Sequence, residues 1–287
     1  MAHFFRADTR HSLTALPDPD LVVPSEDPLD AVAMYQITQA TSATFTDLYL
    51  RLTFLFFIES GSKRVITPTQ DVIGEEGDLL IFPAGSMVTM ENRPVLDREY
   101  RAIGVAFPEP IVSQVFAPKT AVTEPGHVEI LRASRHAPLE LLSLLRATLD
   151  DPTLPGVIRE HRLLEPLVWL RAHGSHLSPS TEEAPLARVR RLIETDLSHP
   201  WRAEEVAGAL AMSEATMRRW LRRSDQSFAK ILMNTRLEHG LNLLQTTDQP
   251  ISAIALDCGF KTPSHFAEAF RRRFAIAPKQ IRTVIDA

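Results

Sequence analysis

Apolar residues between Met34 and about Phe107 recur with the period of β-strands. Leu52, Phe54, Phe56 and Ile58 alternate along one face, Gly61 marks a turn, and Val65, Val72, Leu79, Ile81, Val88 and the segment Ala102 to Phe107 follow between Gly, Pro, Asp and Asn. Strands this short and closely spaced predict a small barrel or a sandwich. After Arg135 the period becomes helical. Leu139, Leu142, Leu145 and Leu149 form one apolar face, stopped at Asp151-Pro152. A second helix, about Gly156 to Ala172, carries Leu163, Leu164, Leu167, Val168 and Leu170, with Pro166 expected to kink it. These leucine faces either cover the sheet or pair with a second copy of the chain. From residue 186 onward the spacing is three and four throughout and predicts about seven short helices and no strand.

These changes of period divide the chain. Residues 1–30, with Pro17, Pro19, Pro24 and Pro28, read as an extended arm. Residues 31–134 form the strand-rich unit and residues 135–175 its helical extension. Residues 176–184, rich in Ser, Pro and charge, read as a linker, and residues 185–287 form an all-helical unit.

Charge sharpens that division. Residues 1–184 carry 15 basic and 25 acidic side chains, residues 185–287 carry 16 and 11, and the whole chain of 287 residues has a net charge of −5. A basic unit beside an acidic one suggests a polyanionic partner for the former. The longest apolar run, Leu52 to Ile58 interrupted by Thr53, is far short of the ~20 residues that span a bilayer, so no membrane partner is expected. The amino-terminal residues lack the apolar stretch of a secretory signal, and the single cysteine, Cys258, fits a reducing compartment. A cytoplasmic protein is the expectation.

The chemistry lies in residues 203–223, AEEVAGALAMSEATMRRWLRR. Val206, Ala207 and Leu210 line a first helix, Ser213 caps a second, and Met217 with Leu221 anchor the second on the first. The second helix then turns Ala215, Thr216, Arg218, Arg219 and Arg222 outward, as a helix entering a major groove requires. The pattern returns in residues 251–274, ISAIALDCGFKTPSHFAEAFRRRF. Ile254 and Ala255 line a first helix, Gly259 suits a left-handed turn, Thr262 caps the next helix and Pro263 begins it. Phe266 and Phe270 face inward. Ser264, His265, Ala267 and Glu268 face outward near the start, with Arg271, Arg272 and Arg273 as a basic cluster behind them. Phe228 to Leu244 reads as a long helix holding the two units apart.

Two such units joined by one helix resemble the AraC/XylS family of bacterial transcription regulators. The likeness rests on Ser227-Phe228, Arg236-Leu237 and Leu243-Leu244 in the connecting helix, then Ile254-Ala255, Cys258-Gly259-Phe260 and Thr262, and finally Phe266, Phe270-Arg271, Phe274, Pro278 and Arg282. It covers about one hundred residues, and implies that 185–287 is an AraC-type DNA-binding domain. The resemblance implies two recognition helices entering successive major grooves of double-stranded promoter DNA, ~34 Å apart. By position, Ala215, Arg218 and Arg219 match the base-reading residues of the first unit, and Pro263, Ser264, His265, Ala267 and Glu268 those of the second. Glu268 stands where the family often has arginine; two readings are open, that it accepts from a cytosine N4 or that it contacts nothing. Gly240 and Ala275 also depart from the family's usual alanine and glycine, each with an expected local cost of ~1 kcal/mol.

Residues 77–85, GDLLIFPAG, resemble a strand of the cupin-type sensing domain that many family members carry. The expected fold class is therefore α+β, with an N-terminal cupin-like β-barrel (31–134), a helical dimerisation or packing segment (135–175) and a C-terminal all-α tandem helix-turn-helix domain. Residues 34–107 contain no histidine, so no metal and no cofactor are expected, and no nucleophile–base pair suggests an enzyme. A small-molecule effector in the barrel, a homodimer and contact with RNA polymerase complete the expected partners; a constitutive DNA binder and a cupin-type enzyme fused to a DNA-binding module are the alternatives. Arg51, Lys63 and Arg64 read as solvated strand-end cations, with contact to an anionic effector the other reading. Trp201, Trp220 and Cys258 read as core residues.

Overall fold

A computed structural model describes residues 28–116, 127–177, 185–223 and 225–282. After a short turn of 3-10 helix, Pro28–Ala31, come β1 (Ala33–Gln39), β2 (Ala43–Leu50), β3 (Thr53–Ser60), β4 (Ser62–Ile66), β5 (Asp71–Gly74), β6 (Leu79–Phe82), β7 (Ser86–Arg93) and β8 (Tyr100–Phe107). Helix α1 (Glu109–Val115), β9 (Glu129–Leu131), α2 (Ala133–His136), α3 (Leu139–Leu149) and α4 (Gly156–Ala172) complete the first half. The proposed linker falls largely on residues outside the described ones, as does most of the arm.

The strands form two sheets, ordered β1-β8-β3-β6-β9 and β2-β7-β4-β5, with every pairing antiparallel. They face one another across a shared apolar layer that includes Phe45, Val65, Val88 and Met90 from one sheet and Phe56, Ile58, Leu80 and Phe82 from the other. Neither sheet closes on the other, and each ends on edge strands, so the expected cupin-like barrel is not formed. The reason lies in the pairing. β3 and β4 are adjacent in the chain but turn at Gly61 into different sheets, and β4 takes β7 and β5 as neighbours.

Period two decides what covers the first sheet. On β3, Phe56 and Ile58 enter the layer between the sheets, whereas Leu55 and Phe57 point to the opposite face. There they meet Ile111 and Val112 of α1, Leu141, Leu142 and Leu145 of α3, and Leu163, Leu167 and Leu170 of α4. A strand buried on both faces reads as a continuous apolar run, which is how residues 54–58 look in the sequence. Helix α4 runs on through a buried Pro166.

The second half contains, among the described residues, seven helices: α5 (Pro185–Glu194), α6 (Ala203–Ala209), α7 (Glu214–Arg222), α8 (Phe228–Thr246), α9 (Ile251–Asp257), α10 (Pro263–Phe274) and α11 (Pro278–Arg282). Val189, Ile193, Val206, Ala207, Met217, Leu221 and Ile231 form one small core. Leu237, Leu241, Leu244, Ile254, Cys258, Phe266 and Phe270 form another, continuous with the layer between the sheets. The halves are tied by Ala40 N–H donating to Ile281 O at 2.8 Å and Thr38 Oγ1 donating to Gln245 O at 3.3 Å.

Candidate nucleic-acid interface

The two helix-turn-helix units are built alike. In the first, the chain leaves α6 through Ala211 at φ 57°, Met212 N–H donates back to Ala207 O at 3.0 Å, and Ser213 Oγ accepts from Thr216 N–H at 3.2 Å to start α7. In the second, Gly259 at φ 72° takes the turn, Phe260 N–H donates to Ala255 O at 2.9 Å, and Thr262 Oγ1 accepts from His265 N–H at 3.2 Å to start α10. A side chain at Gly259 would lie 2.3 Å from Leu197 O, so no other residue fits.

Arginines hold this frame. Arg236 donates to Leu197 O and His199 O at 2.9 and 2.8 Å, fixing α8 to the α5–α6 loop. Arg282 donates to the carbonyls of Leu243, Leu244, Thr247 and Gln249 at 2.5–3.2 Å, closing the carboxyl end of α8. Arg236 and Arg282, two of the positions quoted above for family likeness, are therefore braces between helices, distinct from the outward faces.

On those faces the structure brings together Ala215, Thr216, Arg218, Arg219 and Arg222, all exposed on α7. On α10, Pro263, Ser264, His265, Glu268, Arg271 and Arg272 are exposed and Ala267 is half-buried. Each helix carries a glutamate one turn before an arginine: Glu214 pairs with Arg218, and Glu268 with Arg272 at 2.9 Å. Glu268 therefore has a partner within its own helix. The third arginine of the cluster departs from expectation. Arg273 is turned inward, donating to Glu238 Oε1 at 3.3 Å, Thr46 Oγ1 at 3.1 Å and Asp47 O at 3.2 Å. Helical phase accounts for this, because residue 273 lies three after Phe270 and so on the inner face.

Sequence reading also missed the network that Arg273 joins. Arg190 of α5, almost fully buried, forms a two-pronged pair with Glu238 at 2.6 and 3.2 Å, and its guanidinium lies 4.9 Å from the Tyr49 ring centre. Arg51 pairs with Glu194 at 3.0 Å, where burial pushes the glutamate carboxyl up against the pull of Arg51 and Arg190. Strand β2 and the loop that follows it are thus joined to α5, α8 and α10 together. An open surface depression lies between α7 and α8, lined by Arg222, Asp225, Gln226, Ser227 and Lys230, and adds Lys230 to the basic groups near α7. Trp201 and Trp220 are half-buried rather than core; Trp201 Nε1 donates to Asp196 O at 2.7 Å. Cys258 is buried, as expected.

Residues 206–283 match the family model of a helix-turn-helix domain. The matched span lies in the helical half, where the AraC/XylS resemblance also lies. YdeO of Shigella flexneri, an HTH-type transcriptional regulator, is 31% identical over 94 residues, which are 33% of this chain and 37% of YdeO. The transcriptional regulator SirC of Salmonella typhimurium is 38% identical over 91 residues, 32% of this chain and 31% of SirC. The chain thus spans about a third of the length of these curated relatives, and the likeness lies in the helical half. The fold of both halves is found in ToxT of Vibrio cholerae, with a TM-score of 0.62, 13% identity, and coverage of 89% of this chain and 100% of that one. Among the described residues no helix is long and apolar enough to cross a membrane.

Proposed function

We propose that this chain is a transcription regulator of the AraC/XylS family rather than an enzyme, binding double-stranded promoter DNA through α7 and α10 in successive major grooves. The observation that carries the reading is the matched construction of the two units, each with a left-handed turn, a capped second helix and an outward basic face. Ala215, Arg218 and Arg219 on α7, with Pro263, Ser264, His265, Ala267 and Glu268 on α10, are the proposed base-facing set, and Thr216, Arg222, Arg271 and Arg272 the phosphate-facing one.

The sheet half is the proposed sensing unit, in a cytoplasmic protein. ToxT, which shares the fold, has been solved bound to an unsaturated fatty acid, at a TM-score of 0.59 and 14% identity. That likeness supports a small-molecule effector here, and the joint at β2 gives the effector a route to α10. The exposed Val157, Ile158 and Val168 on α4 support pairing of two copies, and contact with RNA polymerase is the proposed route to transcription. Genomic footprinting with and without added cell extract tests the reading. Protected sites of two adjacent major grooves, weakening steeply with salt, are expected; a chain that protects no site under either condition overturns it.

A further inference from the structure

Lys63, expected at a solvated strand end, lies in the layer between the sheets and is 1% exposed. Its Nζ donates to Asn92 Oδ1 at 2.5 Å and lies 3.6 Å from Met90 Sδ, with the Phe56 and Tyr100 ring centres 4.9 and 5.2 Å away. No carboxylate pairs with it among the described residues. The charged neighbours on the surrounding strands have other partners: Arg64 on β4 pairs with Asp71 on β5, Glu91 with Arg93 on β7, and Glu59 on β3 with Arg146, while Arg101 on β8 is exposed. Tyr100 is the titratable group that faces Lys63, and burial moves its phenol further above its ordinary value, so it stays neutral.

The amine is also the head of a buried file of amides. Asn92 Nδ2 donates to Gln39 Oε1 at 2.9 Å, and Gln245 Nε2, from α8 of the other half, donates to that same oxygen at 2.8 Å. Gln39 is fully buried and Asn92 nearly so. Gln245 is half-buried and stands at the outer end of the file. On α8 the nearest acidic group, Glu238, is held by Arg190 and Arg273, and Arg282 is held by backbone carbonyls. The file therefore runs from the sheet interior to the joint between the halves without an intervening charge.

We propose that docking of α8 on the first sheet is linked to the proton on Lys63: the docked form disfavours the charged amine, and release of α8 uncovers the amide file and favours it. Burial lowers the Lys63 amine to about 7, whereas a hydrated lysine titrates near ~10.4. Between those values the released form binds the extra proton. Docking accordingly weakens as pH falls through that interval, by at most about tenfold per pH unit, and levels off below about 7, where both forms are charged. This linkage depends on the joint alone and holds whether or not the helices read DNA.

Hydrogen exchange of the Ala40 amide, which donates to Ile281 O across the joint, measures release directly in the full chain. After correction for intrinsic exchange, its opening constant should rise by up to about tenfold per unit as pH falls from 9 to 7 and then flatten, and Lys63→Met should remove that slope. A flat wild-type profile, a slope retained in Lys63→Met, or core amides of Leu55 and Ile81 changing in step with Ala40 would each overturn the proposal. Should Lys63→Met fail to fold, the carbon-13 titration of the Lys63 side chain in the wild-type chain decides: a midpoint that coincides with the pH at which the Ala40 profile flattens supports the linkage, and one that departs from it, or lies above about 10, overturns it.

Discussion

The rings of Phe45 and Phe274 meet edge to face with centroids 5.4 Å apart and planes at 75°. Phe45 belongs to β2 and Phe274 ends α10. Because Phe270 stands 4.7 Å from Phe274 and 5.5 Å from Phe266, an aromatic file runs from the core of the second helix-turn-helix unit into the layer between the sheets. The inner face of one proposed recognition helix is thus also the floor of the sheet half. A shift of β2 would be felt at α10 through rigid contacts, without the linker.

Phe45→Ala should therefore do more than open a local cavity. Removal of a fully buried ring costs about 3–5 kcal/mol in a core of this kind, and here it also loses the contact with Phe274. Urea denaturation followed by circular dichroism is expected to show that loss. A change below about 1 kcal/mol would mean that the two cores do not share this ring.

Two backbone positions set opposite expectations. Ala275 closes α10 in the left-handed region at φ 58°, its N–H donating to Arg271 O at 2.8 Å. Ala275→Gly should stabilise the chain by about 1 kcal/mol, since glycine adopts this conformation without the Cβ penalty. Gly240, expected to be a mild weakness in α8, is instead required there. A Cβ would lie 2.7 and 2.9 Å from the Phe266 ring, so Gly240→Ala should cost about 1–3 kcal/mol. Thermal melts of the two variants, moving in opposite directions from wild type, check both.

What could be read from the sequence was local. Ser213, Thr262, Pro263 and Gly259 act within one turn of their own position, so spacing alone placed the caps and turns. Closure of a sheet depends on which distant strands pair, and alternation of Phe54, Phe56 and Ile58 is the same in a barrel and a sandwich. The burial of Lys63 was hidden for the same reason, because Asn92 lies 29 residues away and meets it only through β4–β7 pairing. Arg273 was different. Its phase relative to Phe266 and Phe270 was visible, but grouping it with Arg271 and Arg272 by charge concealed it.

Cys258 provides a probe of the second unit. Burial, with Asp257 beside it, pushes its thiol up to about 12, against a smaller pull from Arg236. At pH 8 the thiolate is therefore scarce and shielded. Ellman's reagent should leave the native chain unlabelled and react at once in denaturant. Rapid labelling of the native protein would show that α8 and α9 part readily around the sulfur.

Arg219 and Arg271 separate reading from holding. Arg219 is exposed near the middle of α7, on the face expected to enter the groove, whereas Arg271 lies toward the end of α10. On an operator found by footprinting, Arg219→Ala should cost about 1–3 kcal/mol and relax preference at one base pair. Arg271→Ala should weaken all sequences alike and lower the salt slope by about 1. Binding to a set of singly substituted operators at several salt concentrations distinguishes the two. Uniform weakening by Arg219→Ala would move that residue to the phosphate backbone and leave base reading on α7 to Ala215 and Arg218, the latter drawn toward Glu214 in the free protein.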